Sequence, residues 1–416
     1  MALTSSIMTS RPSMLDYIKI NWPRTFQKDA HGSGFMGIDL PFPYSAPCIK
    51  GEGHYSFFFY WDTYFTNLGL LRHGYAEMLK NNIRNMLWYI KRCGYMPNHV
   101  GIEDRSQPPY LCRMVRDYLD FTGDRAFLPE AAEGLRQEYH FWTTARSTPI
   151  GLNRHGQHGT AENSERFYEQ VAGRLSLPRD IPSADKQRIG GHHMAEAEAR
   201  DFTPRFEMRC MDYAEVELNA LLYDYEIFLG EQSVTLGWDD AELWHKRAQL
   251  RTERIRKYLW SESRGLFLDY DFVNHHHSPV AGIVTYIPLW VGFATKEEAS
   301  RLRENLPLFE RAFGIADTED SPLCKGYQWA YPAMWPPMVY TTVMGLARYG
   351  YREDARRIAR KFMDTFCALY EETGQLWEKT DVETGKVSSL EYSAPPMMGF
   401  TAGTLVALHE FLEANR

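Results

Sequence analysis

The chain has 416 residues, of which 44% are hydrophobic and 24% charged, a composition typical of globular proteins and unlike that of disordered or fibrous ones. Its formal net charge is -8 and its Lys and Arg residues form no cluster, which argues against binding to nucleic acid. No run of about 18 uninterrupted apolar residues occurs, so the sequence predicts no membrane span.

The first 14 residues are rich in Ser and Thr and lack both a basic start and an apolar stretch. We expect a poorly ordered segment there rather than a signal peptide or a membrane anchor. The six cysteines are far apart and form no C-x-x-C pair, which favours reduced thiols. These features together predict a cytoplasmic protein.

An aromatic stretch interrupted by one carboxylate runs from Tyr60 to Phe65, and Asn98, Arg105 and Gln107 follow it. Aromatic rings stack on the apolar face of a sugar, while carboxylate, amide and guanidinium groups bind its hydroxyls. Residues 57–109 are therefore predicted to form one wall of a sugar site.

The segments 69–87 and 345–363 resemble each other, which suggests an internal repeat. Each combines an apolar helix, a glycine suited to a helix end and a second, amphipathic helix, and Gly123 and Gly230 are predicted to punctuate the chain similarly. About six such hairpins would form a closed double ring, because each buries its apolar face only against its neighbours. We predict an all-α protein with an (α/α)6 toroid barrel; an open helical array or two stacked bundles fits the periodicity equally well.

Short strand-like pieces such as residues 266–270 are expected to lie in the connecting loops of this barrel. No Gly/Ser-rich or Pro-rich linker divides the chain, so residues 1–416 are predicted to form a single catalytic domain. The least regular region is 148–201, where Gly, His, Pro and charged residues replace helical periodicity. A loop of that length is more often functional than idle.

Hydrolysis of a glycosidic bond commonly uses two carboxyl groups on opposite sides of the bond. Asp201 is one candidate, since it follows the irregular region and has aromatic residues and two arginines nearby. Burial would raise the pKa of its carboxyl and arginine would lower it, so its role stays open at this point. A helix N-cap or a simple ion pair with Arg is the alternative.

Glu378 is the second candidate carboxylate, beside Trp377, and Glu391 lies further along. A solvated ion pair with Lys379 is the alternative interpretation of Glu378. Gln328 and Trp329, with Trp335 just beyond them, offer a further aromatic wall, although a Pro-capped core helix would have the same pattern.

His275–His277 and the pair His192–His193 are weak candidates for metal ligands, because consecutive side chains point in different directions and no H-E-x-x-H or cysteine-pair motif supports them. Glycine-rich nucleotide motifs and the serine-hydrolase motif G-x-S-x-G are also missing. We therefore predict no metal ion and no cofactor.

Taken in order, these stretches resemble the motifs of inverting α-glycosidases with an α/α toroid, the group of trehalases, processing α-glucosidase I and the mannosylglycerate or glucosylglycerate hydrolases. Each motif is weak alone, and their shared order along the chain makes the resemblance specific. The matching stretches are Tyr60–Phe65, Met96–Asn98, Arg105–Pro109, Asp201–Phe206, Gln328–Pro332 and Trp377–Asp381.

The resemblance implies an inverting exo-α-glycosidase for a small α-glucoside or α-mannoside, such as a glycosylglycerate, trehalose or a short oligosaccharide. Asp201 would protonate the leaving oxygen and Glu378 would deprotonate the attacking water, with the two carboxyl groups about 6.5–9.5 Å apart. The residues implied to hold the sugar are Tyr60, Trp61, Asp62, Asn98, Arg105, Gln107, Arg205, Gln328, Trp329 and Glu391.

The chain departs from the usual family pattern at several points. Glu198–Arg200 lack the Gly and Trp that usually precede the acid, residues 51–56 differ from the usual Gly-Gly-Arg-Phe-x-Glu, and Ala330 replaces an Asp. Residues 153–166 match trehalase leaving-sugar contacts poorly, and the compact length is nearer to the glycosylglycerate hydrolases. Basic groups that could receive a glycerate carboxylate are Arg166, Arg205 and Lys325.

Two alternatives remain at this stage. A sugar epimerase or isomerase on a similar barrel would use a pair of histidines as acid and base, drawn from His54, His99, His192 and His193. The other alternative is a catalytically impaired, sugar-binding relative of these enzymes. It is suggested by the altered residues before Asp201.

Overall fold

The computed structural model describes residues 12–28, 39–52 and 55–415. The predicted disorder of the N-terminal segment falls mostly outside these residues, and so does His54. The α-helices are α1 (Met14–Asn21), α2 (Trp61–Arg72), α3 (Ala76–Cys93), α4 (Leu111–Thr122), α5 (Leu128–Ala145), α6 (Ala161–Ala172), α7 (Ser183–Ala199), α8 (Val216–Leu236), α9 (Ala241–Tyr258), α10 (Ile287–Val291), α11 (Lys296–Glu304), α12 (Pro336–Arg348), α13 (Arg352–Thr373) and α14 (Gly399–Ala414).

Short strands lie in the connections between these helices, as predicted, and pair in small antiparallel sheets. The strands are β1 (Phe26–Gln27), β2 (Tyr44–Ser45), β3 (Tyr213–Ala214), β4 (Trp260–Ser261), β5 (Leu266–Phe267), β6 (Tyr270–Asp271), β7 (His276–His277), β8 (Glu310–Arg311), β9 (Gly314–Ile315), β10 (Ala333–Met334) and β11 (Thr380–Asp381). The sheets are β1–β2, β3–β6–β7, β4–β5, β8–β9 and β10–β11.

Within the described part of the chain, six helices form a closed inner ring. α2 packs on α4, α4 on α8, α8 on α10, α10 on α12, α12 on α14, and α14 returns to α2. The outer helices α3, α5, α9 and α13 pack on this ring, each against the inner helix that precedes it or follows it. The predicted (α/α)6 toroid is therefore confirmed, and an open array is excluded by the contact between α14 and α2.

The ring closes where α14 crosses α2, and two glycines permit the close approach. A Cβ on Gly403 would lie 1.8 Å from the carbonyl oxygen of Phe65, and one on Gly69 would lie 2.9 Å from the Cα of Gly403. Any larger side chain at either position would push the helices apart, because packed interiors have little free volume.

Two expectations about the helices were wrong. Gly230 does not end a helix: α8 continues to Leu236 and is capped by Gly237 in the left-handed conformation. Gly230 instead lets the ring of His245 on α9 approach, since a Cβ there would lie 3.0 Å from it. The region 148–201 is not an irregular loop, because it contains α6 and α7, which pack on each other.

The helix α7 escaped detection because its second half has no exposed face. Residues 190–199 are all buried, including four charged or titratable side chains, so no alternation of apolar and polar residues marks them. Those polar side chains are His192, His193, Glu196 and Glu198. Of the residues that can be described, no helix combines the length and the apolar character needed to cross a membrane.

Candidate active site

A pocket with about 480 Å³ of open space lies at the N-terminal ends of α2, α12 and α14. Helix starts and the loops before them bring together side chains that are far apart in sequence. The pocket is lined by Pro47, Tyr55, Phe59, Trp61, Asp62, Gln107, Asp201, Gln328, Trp329, Trp335, Glu378, Tyr392, Met397 and Phe400.

Both candidate catalytic carboxylates line this pocket, and five of the predicted sugar-binding residues join them. Those five are Trp61, Asp62, Gln107, Gln328 and Trp329. The side-chain oxygen of Gln107 accepts the backbone N–H groups of Tyr60 at 3.2 Å and Trp61 at 3.3 Å, which fixes its amide at the start of α2.

Indole rings form the floor of the pocket. Trp329 stacks on Trp335 with ring centroids 3.7 Å apart, and Trp61 lies 5.5 Å from Trp329. A flat aromatic surface beside carboxylate and amide groups suits a sugar ring, which has an apolar face and a rim of hydroxyls.

Arg200, which stands where the family usually has Trp, lies behind this floor. Its guanidinium is 4.8 Å from the ring of Trp61 and 4.9 Å from the ring of Trp329, and it forms a buried ion pair with Glu217. The altered residue before Asp201 thus supports the aromatic platform from below through cation–π contacts.

Asp201 follows α7 and faces the pocket. Burial raises the pKa of its carboxyl to about 6, although the nearby Arg105 and Arg174 lower it. The segment after it is held by hydrogen bonds from Thr203 N–H to Glu196 at 2.8 Å and from Trp329 N–H to the carbonyl oxygen of Phe202 at 3.0 Å. A carboxyl group whose pKa is raised towards neutral pH is partly protonated there and can serve as a general acid.

Glu378 approaches the same pocket from the segment before β11. Burial raises the pKa of its carboxyl to about 7, Tyr392 and Lys379 lower it, and the charges of Asp201 and Glu391 raise it. Asp62 also lines the pocket, and burial raises the pKa of its carboxyl to about 7. With pKa values raised to about 6 or 7, these carboxyl groups are partly protonated near neutral pH, so the site can offer both a proton donor and a proton acceptor.

Three of the predicted sugar-binding residues lie outside the pocket wall. The hydroxyl of Tyr60 donates to Glu138 at 2.6 Å in the core. The amide of Asn98 donates to the carbonyl oxygen of Ala197 at 3.0 Å. Arg205 is buried between Glu215 at 2.9 Å and Asp269 at 2.6 Å. Because these polar groups are occupied by internal partners, their contacts support the walls of the site.

Arg105 and Glu391 lie beside the pocket. The guanidinium of Arg105 pairs with Asp104 at 2.6 Å and lies 5.1 Å from the ring of Phe167, in a cleft that Arg166 also lines. Glu391 forms an ion pair with Arg174 from the connection between α6 and α7. Lys325 is exposed.

Several pocket residues were not predicted from sequence. Tyr392 donates a hydrogen bond to Glu378. It directly follows the candidate residue Glu391, and this position was the sequence signal that could have identified it. Tyr55 and Phe59 flank the aromatic stretch that was selected. No sequence signal pointed to Arg174, because it lies in an exposed connection without a recognisable motif.

The histidines do not form a pair in the pocket wall that the structure describes. His99 stacks on Phe57 with ring centroids 5.3 Å apart, and His193 lies 3.2 Å from Glu196 inside the protein. His192 accepts the N–H of Met211 at 3.2 Å. The epimerase alternative therefore finds no histidine acid–base pair among these residues.

His276 lies near Glu207 and Asp271, a grouping of possible metal ligands. Arg209 already pairs with Asp271 at 2.6 Å and with Glu207 at 3.3 Å, so a cation occupies the same carboxylates. Asp271 also accepts the backbone N–H groups of Val273 at 2.9 Å and Asn274 at 2.8 Å, as expected of a turn.

Comparison with known proteins identifies the family. Residues 40–412 match the trehalase family model. The chain is 28% identical to the trehalase of Homo sapiens over 396 residues, which cover 87% of this chain and 66% of that protein. The chain thus spans about two thirds of the length of that relative.

Two solved structures share the fold. Neutral trehalase from Saccharomyces cerevisiae superposes with a TM-score of 0.76 at 24% identity, covering 90% of this chain and 74% of that one. A mannosylglycerate hydrolase from Thermus thermophilus superposes with a TM-score of 0.62 at 17% identity, covering 95% of this chain and 100% of that one. Since the family model spans most of its length, the chain belongs to the trehalase family, whose members are glycoside hydrolases.

Proposed function

We propose that this protein is an inverting exo-α-glucosidase that hydrolyses trehalose. The observation that carries the proposal is the arrival of Asp201 and Glu378 in one aromatic-floored pocket, each with a carboxyl pKa above its ordinary value. The sequence similarity to a trehalase supports the choice of substrate.

In the proposed reaction, Trp61 and Trp329 carry the apolar face of the reacting glucose, and Asp62, Gln107 and Gln328 bind its hydroxyls. Asp201 gives its proton to the oxygen of the bond that breaks. Glu378 takes a proton from a water that attacks the anomeric carbon from the opposite face. One water is consumed, two glucose molecules leave, and the attacked carbon is inverted.

Proton NMR during the first minutes of trehalose hydrolysis tests this proposal. Inversion converts the attacked glucose to the β-anomer and leaves the departing glucose as the α-anomer, so equal amounts of both should form first. Initial release of the α-anomer alone would contradict inversion. The Asp201→Asn variant, measured in parallel, shows whether the release depends on the proposed acid.

A second candidate substrate is a glycosylglycerate. It is favoured by the cleft beside the pocket, where the exposed Arg166 could receive a carboxylate, whereas Arg105 in the same cleft already pairs with Asp104. Arg205 is not available for this role, because its guanidinium is buried between two carboxylates. Glucosylglycerate and mannosylglycerate should be compared with trehalose by kcat/KM; a preference for either glycerate compound would replace trehalose as the substrate.

We also propose that the protein acts in the cytoplasm. Its six cysteines all lie in the part of the chain that the structure describes, and they are thiols rather than disulfides. Fractionation of cells that express the tagged protein would test this location.

A further inference from the structure

Three side chains connect the exposed segment after α6 to the carboxylate of Glu378. Arg174 Nη2 donates to Gln328 Oε1 at 3.1 Å. Gln328 Nε2 donates to the hydroxyl of Tyr392 at 3.2 Å, and that hydroxyl donates to Glu378 Oε2. Every donor in this series faces an acceptor, so the hydrogen bonds can all form at once.

Among the residues that the structure describes, Tyr392 is the one whose side chain donates a hydrogen bond to the carboxylate of Glu378. The ring of Tyr392 is itself held, since Lys379 Nζ lies 3.6 Å from its centroid and donates to the carbonyl oxygen of Leu390 at 2.7 Å. A rigid phenol therefore fixes one oxygen of the carboxylate and leaves the other for a further partner.

Arg174 anchors the far end of this series of hydrogen bonds. Its guanidinium forms an ion pair with Glu391, whose side chain is only 5% exposed, and lies 4.3 Å from the ring of Phe202, the residue after Asp201. Arg174 thus contacts the segment that carries Asp201. Through Gln328 it is also connected to Tyr392, which binds Glu378.

We propose that Tyr392 is a positioning residue for Glu378, held in place by Gln328 and Arg174, and that this series of hydrogen bonds aims the base at the attacking water. The proposal rests on the role of Glu378 as the general base given above. A base that is fixed before the substrate binds needs no reorganisation during the reaction.

The hydrogen bond has a measurable electrostatic effect. It stabilises the ionised carboxylate and so lowers the pKa of Glu378, whose burial raises it to about 7. Loss of the hydroxyl should raise that pKa further. Because the carboxyl of Asp201 has the lower pKa of the two, about 6, the limb of the pH–rate profile near pH 7 follows Glu378 and should move to higher pH. The other titratable or charged groups that act on Glu378 are Tyr55, Asp62, Asp201, Lys379 and Glu391.

The test is Tyr392→Phe, with Tyr331→Phe as its matched control. Tyr331 also donates to a carboxylate, Glu383 at 2.6 Å, but does not line the pocket. We expect Tyr392→Phe to lower kcat by roughly 10-fold to 100-fold with little change in KM, and to move the limb near pH 7 upward. Tyr331→Phe should leave kcat and the pH profile unchanged. A rise in KM alone with an unmoved profile would show that Tyr392 binds substrate, and would overturn the proposal.

Arg174→Gln tests the far end, with Arg179→Gln as its control on the same exposed connection. We expect Arg174→Gln to shift the limb near pH 7 in the same direction as Tyr392→Phe but less, and Arg179→Gln to shift nothing. Arg174 also lowers the pKa of Asp201 directly, so a shift of the limb near pH 6 reports on Asp201 and is scored separately. A shift from Tyr392→Phe with none from Arg174→Gln would remove Arg174 from the proposal.

Carbon NMR titration of the Glu378 carboxyl, assigned by its loss in Glu378→Gln, gives a result that does not require turnover. If trehalose and the glycerate compounds are not hydrolysed but Tyr392→Phe raises the Glu378 pKa, the positioning contact stands and the proposed function falls. If hydrolysis occurs and neither the titration nor the rate profile moves, the positioning role falls and the proposed function stands.

Discussion

At Asp201, burial outweighs the two nearby arginines and raises the pKa of the carboxyl to about 6. Glu378 shows the same balance, with burial raising its carboxyl pKa to about 7 against the effects of Tyr392 and Lys379. The charge of Asp201 also raises the pKa of Glu378, and the charge of Glu391 raises the pKa of both. The two groups therefore titrate as a pair near neutral pH.

Asp201→Asn and Glu378→Gln should each lower kcat by roughly 10²–10⁴-fold, because each removes one proton transfer of the proposed reaction. Initial rates of glucose release measure this. Asp320→Asn and Glu372→Gln make the same chemical changes at exposed positions and should retain full activity. Turnover like that of the unchanged enzyme in both pocket variants would remove the glycosidase assignment to these residues.

The pH profile of kcat/KM should be bell-shaped, with limbs near pH 6 and pH 7, following the raised pKa values of Asp201 and Glu378. Below about pH 6 both carboxyls are protonated and no base remains; above about pH 7 both are ionised and no acid remains. Rates with trehalose from about pH 4 to about pH 9, at low substrate concentration, measure the limbs. A rate that is constant across this range would contradict the assignment of Asp201 and Glu378 as an acid–base pair.

The possible metal ligands Glu207, Asp271 and His276 lead to a separate prediction. Since Arg209 already neutralises Asp271, treatment with a chelator should leave the rate unchanged. Dialysis against EDTA followed by the trehalose assay checks this, and a loss of activity that zinc or calcium restores would contradict it.

Buried ion pairs tie α7 to the connection after α5. His155 lies between Glu215, 2.8 Å from its Nε2, and Glu198, 3.5 Å from its Nδ1, and Arg146 pairs with Glu198 at 2.7 Å. Glu198 lies three residues before Asp201, so this network fixes the end of the helix from which the proposed acid extends. Burial alone would lower the pKa of His155, but the two glutamates raise it to about 9.

His155→Gln should reduce the free energy of unfolding by roughly 1–3 kcal/mol near pH 6.5, because Glu198 and Glu215 each lose one of their two buried cationic partners and keep only Arg146 and Arg205. The stability that the imidazolium contributes is fully present below its ordinary pKa of 6.5 and is lost as the pH rises through about 9. The difference between the variant and the unchanged protein should therefore shrink at higher pH.

Urea unfolding at about pH 6.5 and about pH 9.5 measures this difference. His140→Gln, at an exposed position on α5, is the control and should change the free energy of unfolding by less than about 0.5 kcal/mol. A cost of His155→Gln that is the same at both pH values would show that the imidazole is not charged in the folded protein.

At the scale of the molecule, the contact between α14 and α2 converts a row of hairpins into a ring. The segments that meet there are separated by most of the chain, so the ring is complete only when the C-terminal helix is in place. We propose on this basis that the chain unfolds as one domain, since opening the ring exposes the inner faces of its neighbours.

Gly403→Ala tests this closure. The added Cβ would lie 1.8 Å from the carbonyl oxygen of Phe65, so the variant should lose roughly 1–3 kcal/mol of unfolding free energy in a single transition. Gly191→Ala is the control, because its nearest neighbour would be 3.6 Å away and alanine is the better helix former. Thermal unfolding followed by circular dichroism measures both. Two separate transitions would contradict the single domain.

The elements that could be predicted from sequence were those with local signals. Amphipathic helices such as α3 and α13 show their periodicity directly, and the glycine after α4 marks its end. The pocket residues Trp61, Asp201 and Glu378 lie in short motifs whose order along the chain indicated a family. The second half of helix α7 gave no such signal, because its burial on all sides removes the alternation on which prediction depends.

The sequence by itself determined that the chain is built of helical hairpins, because their periodicity and terminal glycines are local signals. Through the order of its short motifs it also predicted a toroid fold, two candidate carboxylates and most of the aromatic platform. Only the tertiary structure decided which neighbours act on them. Arg205 and Tyr60 looked available to a sugar until buried carboxylates were found beside them. Arg174 and Tyr392, far apart in sequence, were found to meet at the pocket through Gln328. Contacts of this kind join segments that are far apart along the chain. No local sequence pattern indicates that these segments meet, so the contacts are decided by tertiary packing.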